Sequence, residues 1–482
     1  MSDQPRVKHW IDGEWTSSPT EKNSVNPATG EVIGTYSDGD AGTADLAIEA
    51  AARAFATSGW RHDAMGRATA LSRLADAFET RLGDLVQSLG TENGKLNNEA
   101  GYEVHFIPRA LRFASGLALL NQGRVAETKP GVQSLSIRQP VGVAGIIVPW
   151  NSPAYLSIRA IAPALAAGCT VAVKMPAQAA QTGAIVAEIF ASVPDFPQGV
   201  VNFFVESGDA GARRLVESPS VPVISFTGST GTGRAIARAA ADGLKRVSLE
   251  LGGKTPHLVF EDADLAAVVP TIVASTTVFA GQFCMTGSRI LAHSSIADEL
   301  IEAVAKQLES VRPGPAADPE SQIGPMIDLA AVARVDAAVE EAIAAGAVPI
   351  VRGGPSTLPH LKGGAFYHPT LLEVSSTDLP IVQTETFGPV QTVQRFDTEE
   401  EAIALANATE YGLSACVWSR DSDRPMRVAR ALEAGLISIN SWANLAVEFE
   451  EGGFKSSGLG RLGGVASLDD FLEYKQISQA YA

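Results

Sequence analysis

The sequence predicts an α/β protein of two doubly wound domains, each a parallel sheet covered by helices. Three observations carry this. Short Val- and Ile-rich runs alternate with helix-like segments between Val143 and Leu251, the pattern of a parallel sheet whose ligands gather at the carboxyl ends of its strands. The alternation restarts after Asp264. At 482 residues the chain also exceeds what one hydrophobic core serves.

Taken in order, Lys8 to Tyr36 holds short strands and turns, with Asn26-Pro27-Ala28-Thr29-Gly30 as a clear turn. From Ala41 to Leu120 the pattern is helical: Ala47, Ile48, Ala51, Ala52 and Phe55 form one apolar face, and Leu71, Leu74, Phe78, Leu82 and Leu85 another. Val132 to Arg138 alternates like a strand and interrupts the α/β rhythm. Strands are then expected at Val143–Val148, Val171–Lys174, Val200–Val205, Val223–Phe226 and Val247–Leu251, with helices at Pro153–Ala167, Thr182–Val193 and Ala210–Glu217. In the second half, helices are expected at Leu265–Ala280, Ala297–Ser310 and Ala330–Ala345. Strands are expected near Val390–Phe396, Ala415–Trp418 and Leu436–Asn440, and Pro313-Gly314-Pro315 and Gly353-Gly354-Pro355 read as loops. The divisions that follow are 1–122 with 141–251 as one domain, 252–450 as the second, and 123–140 with 466–482 as arm and tail.

Composition excludes several function classes. The apolar fraction is 45% and the charged fraction 19%, ordinary for a globular protein. No apolar run reaches the roughly 20 residues of a membrane helix, and Met1 to Arg6 lacks a leader core, so a cytoplasmic protein with no membrane partner is expected. Net charge is −17, which disfavours nucleic acid as a partner because phosphate binding needs a basic face. The 3 cysteines, Cys169, Cys284 and Cys416, are too few and too scattered for a disulfide framework or a zinc site, and no metal is expected. Cys169 and Cys416 read as small buried strand residues.

The chemistry-bearing stretch is Gly281-Gln282-Phe283-Cys284-Met285-Thr286. A lone cysteine is more often structural, and it serves as a nucleophile only where its surroundings favour the thiolate. Leu249-Glu250-Leu251-Gly252-Gly253 places a carboxylate between two leucines. Burial would raise its pKa toward that of a useful base, unless it pairs with Lys245 or Arg246. Asn151 stands before Ser152-Pro153, where an asparagine usually caps a helix. Phe226-Thr227-Gly228-Ser229-Thr230-Gly231-Thr232-Gly233-Arg234 lies between a strand and the helix-like run Ala235–Ala241. It could cradle a phosphate or be a plain tight turn. Lys174 at a strand end would ordinarily be a solvated charge.

Together these motifs resemble the NAD(P)-dependent aldehyde dehydrogenase superfamily over nearly the whole chain. Those carrying the resemblance are Pro149-Trp150-Asn151, Phe226 to Gly233, Leu249 to Lys254, Cys284, Thr384-Glu385-Thr386-Phe387-Gly388-Pro389-Val390 and Gly452 to Arg461. The resemblance implies two Rossmann-like domains, cofactor-binding and catalytic, and a β arm used for oligomerisation, in a homodimer or homotetramer. It implies NAD or NADP as cofactor and a small aldehyde as substrate. Cys284 would be the nucleophile, Asn151 with the cysteine N–H the oxyanion donor, and Glu250 the base that hydrolyses a thioester. Cofactor contacts carried over are Val148, Pro149, Trp150, Lys174, Gly228, Ser229, Gly233, Leu251, Glu385 and Phe387.

Departures from the family concern specificity. Ala177 stands where NAD-preferring relatives carry glutamate, and Glu206 where a glycine is usual, so neither coenzyme is chosen. Tyr155 and Arg159 share a helix face. Arg159 and Glu451 stand where relatives often have aromatic tunnel residues, and Tyr155, Arg159 and Glu451 are the substrate-side candidates. Arg159 and Glu451 pair with each other, or Arg159 meets a polar or acidic substrate group, or both reach solvent. Ala160 and Leu462 replace a lysine and a glutamate that relay protons in some relatives, so water is expected to reach Glu250 by another route. A CoA-acylating dehydrogenase and a non-catalytic crystallin-like protein are the rival readings; Glu250 argues against the first and the intact Cys284–Glu250–Asn151 set against the second.

Overall fold

The structure is a computed structural model and describes residues 5–120 and 122–481. The start of the chain read above, Met1 to Gln4, lies outside the described residues. Two large sheets organise the chain, as the alternation predicts. The first has 8 strands. Its centre is parallel: Arg246–Glu250, Val223–Thr227, Val143–Ile147, Thr170–Pro176 and Val201–Glu206, in that spatial order. These strands are almost wholly buried, which is why they read as continuous Val/Ile runs and not as alternating ones. The second sheet has 7 strands, with Thr255–Val259 central between Gly287–His293 and Ser414–Trp418. Helices cover both sheets, each over its own apolar core.

Antiparallel strands close the first sheet at both edges. His9–Ile11 and Glu14–Thr16 close one. At the other, Gly458–Leu459 pairs with Arg246–Glu250, setting Glu250 opposite Gly458. The end of the chain therefore returns to the sheet that carries Glu250. A separate 3-stranded sheet joins Arg124–Lys129, Val132–Pro140 and Leu472–Ala480. This is the expected arm, with the final strand added along its length. No helix among the described residues is long and apolar enough to cross a membrane.

The helical stretch 41–120 is helical as expected, in three helices, Ala41–Thr57, Ala64–Ser88 and Asn97–Leu119. The breaks fall at Gly59 and Gly94, whose φ values of 77° and 78° only glycine adopts freely. Several other expectations need correction. The expected helix Leu265–Ala280 stops at Thr277. Beyond it Phe279 and Ala280 take left-handed backbone at φ 51° and 53°, a conformation that costs non-glycine residues free energy and that tertiary packing must enforce. The helix after the glycine-rich turn begins at Thr230 and not Ala235, because Ser229 caps it by accepting from Thr232 N at 3.3 Å. Gly354–Pro355 is not loop but pairs with Tyr367–His368. Cys169 is fully buried but precedes its strand.

Candidate active site

The strand Arg246–Glu250 delivers Glu250 to the edge of a cleft of ≈ 540 Å³, which Cys284, Asn151, Trp150 and Glu385 also line. Leu249 and Leu251 are both buried, and Glu250 is itself 3% exposed. One carboxyl oxygen, Oε1, has no hydrogen-bond partner among the described residues. Burial and the nearby Glu451 carboxylate outweigh the attraction of Arg159, so the Glu250 pKa rises to about 8. Neither Lys245 nor Arg246 pairs with it: Lys245 donates to Ser218 O, and Arg246 binds Glu473 and the carbonyls of Asp469 and Leu472.

Cys284 is half-buried, just after the left-handed turn. Gly253 lets the two chain segments meet: a Cβ there would lie 2.4 Å from Cys284 O. Burial pushes the Cys284 thiol up, as do Glu451, Glu385 and Glu250, against the pull of Arg159. The surroundings of the resting thiol thus disfavour the thiolate, contrary to the sequence-based requirement, and the thiol needs a proton acceptor. The adjacent carboxyl with a pKa near 8 is of the right strength for that role.

Asn151 does not cap its helix. Ser152 holds the cap position of Pro153–Ala167, and Asn151 Nδ2 donates to Gln282 O at 3.1 Å, which holds the amide beside the cysteine loop. Both stretches are braced by residues the sequence reading missed. Asn93 Nδ2 donates to Trp150 O at 2.7 Å. Glu99 Oε1 accepts from the left-handed Phe279 N at 2.9 Å. Glu103 Oε1 accepts from Ala154 N and Tyr155 N at 2.9 and 3.2 Å, while Lys95 binds Glu103 and donates to Ser152 Oγ at 3.0 Å. Burial lowers the Lys95 pKa against the pull of Glu103. The helical pattern read over Ala41 to Leu120 gave no sign that Glu99 and Glu103 are buried. Lys95→Met leaves Glu103 buried without its counter-charge, so a loss of about 3–5 kcal/mol is expected, read as a lowered Tm by calorimetry.

Of the expected cofactor residues, Pro149, Trp150, Gly228, Ser229, Leu251, Glu385 and Phe387 line this one cleft. Trp150 and Phe387 meet edge to face at 5.5 Å, and Arg334 donates to Thr386 O at 2.7 Å and Phe387 O at 3.4 Å. Val148 lies behind the cleft, donating from N to Lys174 O at 3.0 Å. Gly233 serves packing, since a Cβ there would strike the Leu251 side chain at 2.5 Å. Burial lowers the Lys174 pKa, with Glu206, Asp38 and Asp209 opposing. Glu206 is buried and caps the helix Ala210–Glu217, accepting from Gly211 N at 2.6 Å and Ala212 N at 3.1 Å.

A second cavity of ≈ 360 Å³ lies beside the first, walled by Ile147, Ala212, Val216, Phe226 and Ile236. The capped start of the Thr230–Asp242 helix stands between them, with Gly228 and Ser229 on one cavity and Gly231 and Thr232 on the other. A Cβ at Gly231 would meet nothing, so that turn is open. Two cavities flanking a helix N-terminus fit a dinucleotide, with a planar base on the apolar side and the charged linker at the N–H groups. Glu385 fits the other end: its carboxyl is buried, raised to about 7 by burial, and accepts from Gly253 N at 3.2 Å.

The substrate-side candidates lie elsewhere. Tyr155, Arg159 and Glu451 are absent from the cleft lining. Arg159 Nη1 donates to Glu451 Oε1 at 2.7 Å, so the two pair and do not reach solvent separately. Leu462 bridges to Glu451 through backbone alone, and Ala160 is buried. Among the described residues no cluster of His, Cys, Asp and Glu could hold a metal ion.

Residues 15–477 match the sequence profile of the aldehyde dehydrogenase family. The betaine aldehyde dehydrogenase of Bacillus subtilis (strain 168) is 36% identical over 472 residues, covering 97% of this chain and 96% of that protein. The mitochondrial succinate-semialdehyde dehydrogenase of Rattus norvegicus is 36% identical, covering 99% of this chain and 91% of its own. Among solved structures, betaine aldehyde dehydrogenase from Staphylococcus aureus in complex with NAD+ superposes with TM-score 0.96 at 34% identity, covering 98% of this chain and 94% of that one.

Proposed function

The chain belongs to the aldehyde dehydrogenase family, and on that premise we propose that it oxidises an aldehyde to the carboxylic acid through a covalent Cys284 thioester. The observation that carries this is one cleft lined together by Cys284, Glu250 and Asn151, with Glu385 and Phe387 alongside.

Sγ of Cys284 attacks the aldehyde carbon, and its proton passes to Glu250. The Asn151 amide and the Cys284 backbone N–H stabilise the negative oxygen of the thiohemiacetal. Pro149, Trp150, Ser229, Glu385 and Phe387 would hold the coenzyme, with Lys174 at the ribose. When bound, the oxidised nicotinamide would supply the acceptor for the hydride that the thiohemiacetal carbon loses. Collapse leaves the acyl group on Cys284 as a thioester. Glu250 gives the thiol proton up to solvent and then takes a proton from water, whose oxygen bonds to the acyl carbon as the C–S bond breaks. That proton passes to the departing Cys284 sulfur, and the acid leaves with the thiol restored. The exposed three-stranded arm supports assembly with further copies of the chain.

The test is a screen of aldehydes with NAD and NADP separately, following absorbance of the reduced coenzyme and identifying the product. Free acid supports the reading; acyl-CoA formed only when CoA is supplied refutes the hydrolytic step. Asn151→Ala is expected to lower kcat by about 10²–10³-fold, the effect of losing one oxyanion donor, with coenzyme affinity retained.

A further inference from the structure

The cleft that Cys284 and Glu250 line contains Glu385 and Phe387, and Thr227 is part of its wall. The Arg159–Glu451 pair is not in that lining but adjoins it, and both Cys284 and Glu250 feel it electrostatically. Its side chains are 5% and 12% exposed. Arg159 Nη2 also reaches Thr227 Oγ1 at 3.3 Å, and Thr227 is the direct strand neighbour of Glu250. The backbone of Glu451 is fixed by reciprocal hydrogen bonds with Leu462, at 2.6 and 2.9 Å. Aromatic rings flank the pair and the thiol. Tyr155, one turn before Arg159, meets Phe106 at 5.7 Å, and Phe106 meets Tyr102 at 5.0 Å. Phe283, next to Cys284, meets Phe279 at 5.7 Å and Trp442 at 5.9 Å.

We propose, resting on the aldehyde-oxidising reading above, that Glu451 is a built-in counter-ion that makes uncharged aldehydes the substrates and turns away aldehydes bearing a carboxylate or an ammonium group. A substrate carboxylate could bind Arg159 only by displacing Glu451, which would then be left buried without a counter-charge. A substrate cation could bind Glu451 only by unpairing Arg159, whose Nε already has no hydrogen-bond partner among the described residues. In each case the new ion pair replaces one already made and strands the displaced group, so a charged tail loses discrimination and affinity together. An uncharged aldehyde leaves the pair intact and gains contact with aromatic surface. Arg159, Glu451 and Tyr155 thereby determine specificity without taking part in the bond changes.

The experiment compares kcat/KM for hexanal, benzaldehyde, succinic semialdehyde (an anion) and betaine aldehyde (a cation). The wild type is expected to favour the uncharged pair by about 100-fold or more. Glu451→Gln keeps the shape and frees the guanidinium; it is expected to raise kcat/KM for succinic semialdehyde about tenfold or more, mainly through KM. Arg159→Gln is expected to do the same for betaine aldehyde. Should either single variant fail to fold, the paired Arg159→Met, Glu451→Met replacement removes both charges and must still reject both charged aldehydes. A wild type that turns over either charged aldehyde as well as hexanal overturns the proposal and leaves aldehyde oxidation standing, as does an unchanged ratio in a folded Glu451→Gln. Reduced coenzyme from none of the four aldehydes sinks the oxidation reading and this inference with it.

Discussion

Cys284→Ala is expected to reduce aldehyde oxidation by at least about 10⁴-fold, to the assay background, because no other group can form the thioester. Cys169 and Cys416 are fully buried, and burial holds both thiols well above their usual range, so neither substitutes. The alanine variant keeps the cleft walls, so coenzyme binding measured by fluorescence should stay within about threefold of the wild type. Mass spectrometry of denatured enzyme, quenched during turnover, should show an acyl adduct in the wild type and none in the variant. An active alanine variant would remove Cys284 from the mechanism.

Glu250→Gln should slow both half-reactions, and mainly the hydrolysis of the thioester. Glutamine fills the same space but cannot take a proton from water, so steady-state turnover should fall by about 10²–10⁴-fold, the usual contribution of a general base. If acylation survives through slower loss of the thiol proton to solvent, rapid mixing should reveal a burst of reduced coenzyme up to one equivalent of enzyme. The pH dependence gives the sign. Burial raises the Glu250 pKa to about 8, so the carboxyl is protonated and inactive below that pH and becomes a base above it. Wild-type kcat should therefore rise with pH through about 8, and the glutamine variant should lack that limb. A glutamine variant with wild-type turnover would relieve Glu250 of its role.

Much of this was legible in the sequence, for a physical reason. The central parallel strands are buried on both faces and so are apolar throughout, and the helix Ala210–Glu217 carries its periodicity to both ends. The principal candidate residues sit at strand ends and glycine turns, where local motifs single them out. What stayed hidden depends on distant partners. Nothing local shows that Phe279 and Ala280 are held in left-handed backbone, since Glu99 enforces it from 180 residues away. The Lys95–Glu103 pair looks like surface charge in a helical pattern, yet both side chains are 1% exposed. The resting thiol also runs against expectation, because the burial that raises it, and the carboxylates that add to it, arise only on folding.

The Gly458–Leu459 strand lies opposite Glu250, and Ser457 adds two more ties, accepting from Leu251 N at 2.8 Å and donating to Gly252 O at 2.7 Å. The carboxylate thus owes its dry surroundings to a segment about 205 residues further along the chain. Removing residues 454–482 should leave Glu250 at an open sheet margin in contact with water, and such a variant is expected to lose aldehyde oxidation however well its earlier helices form.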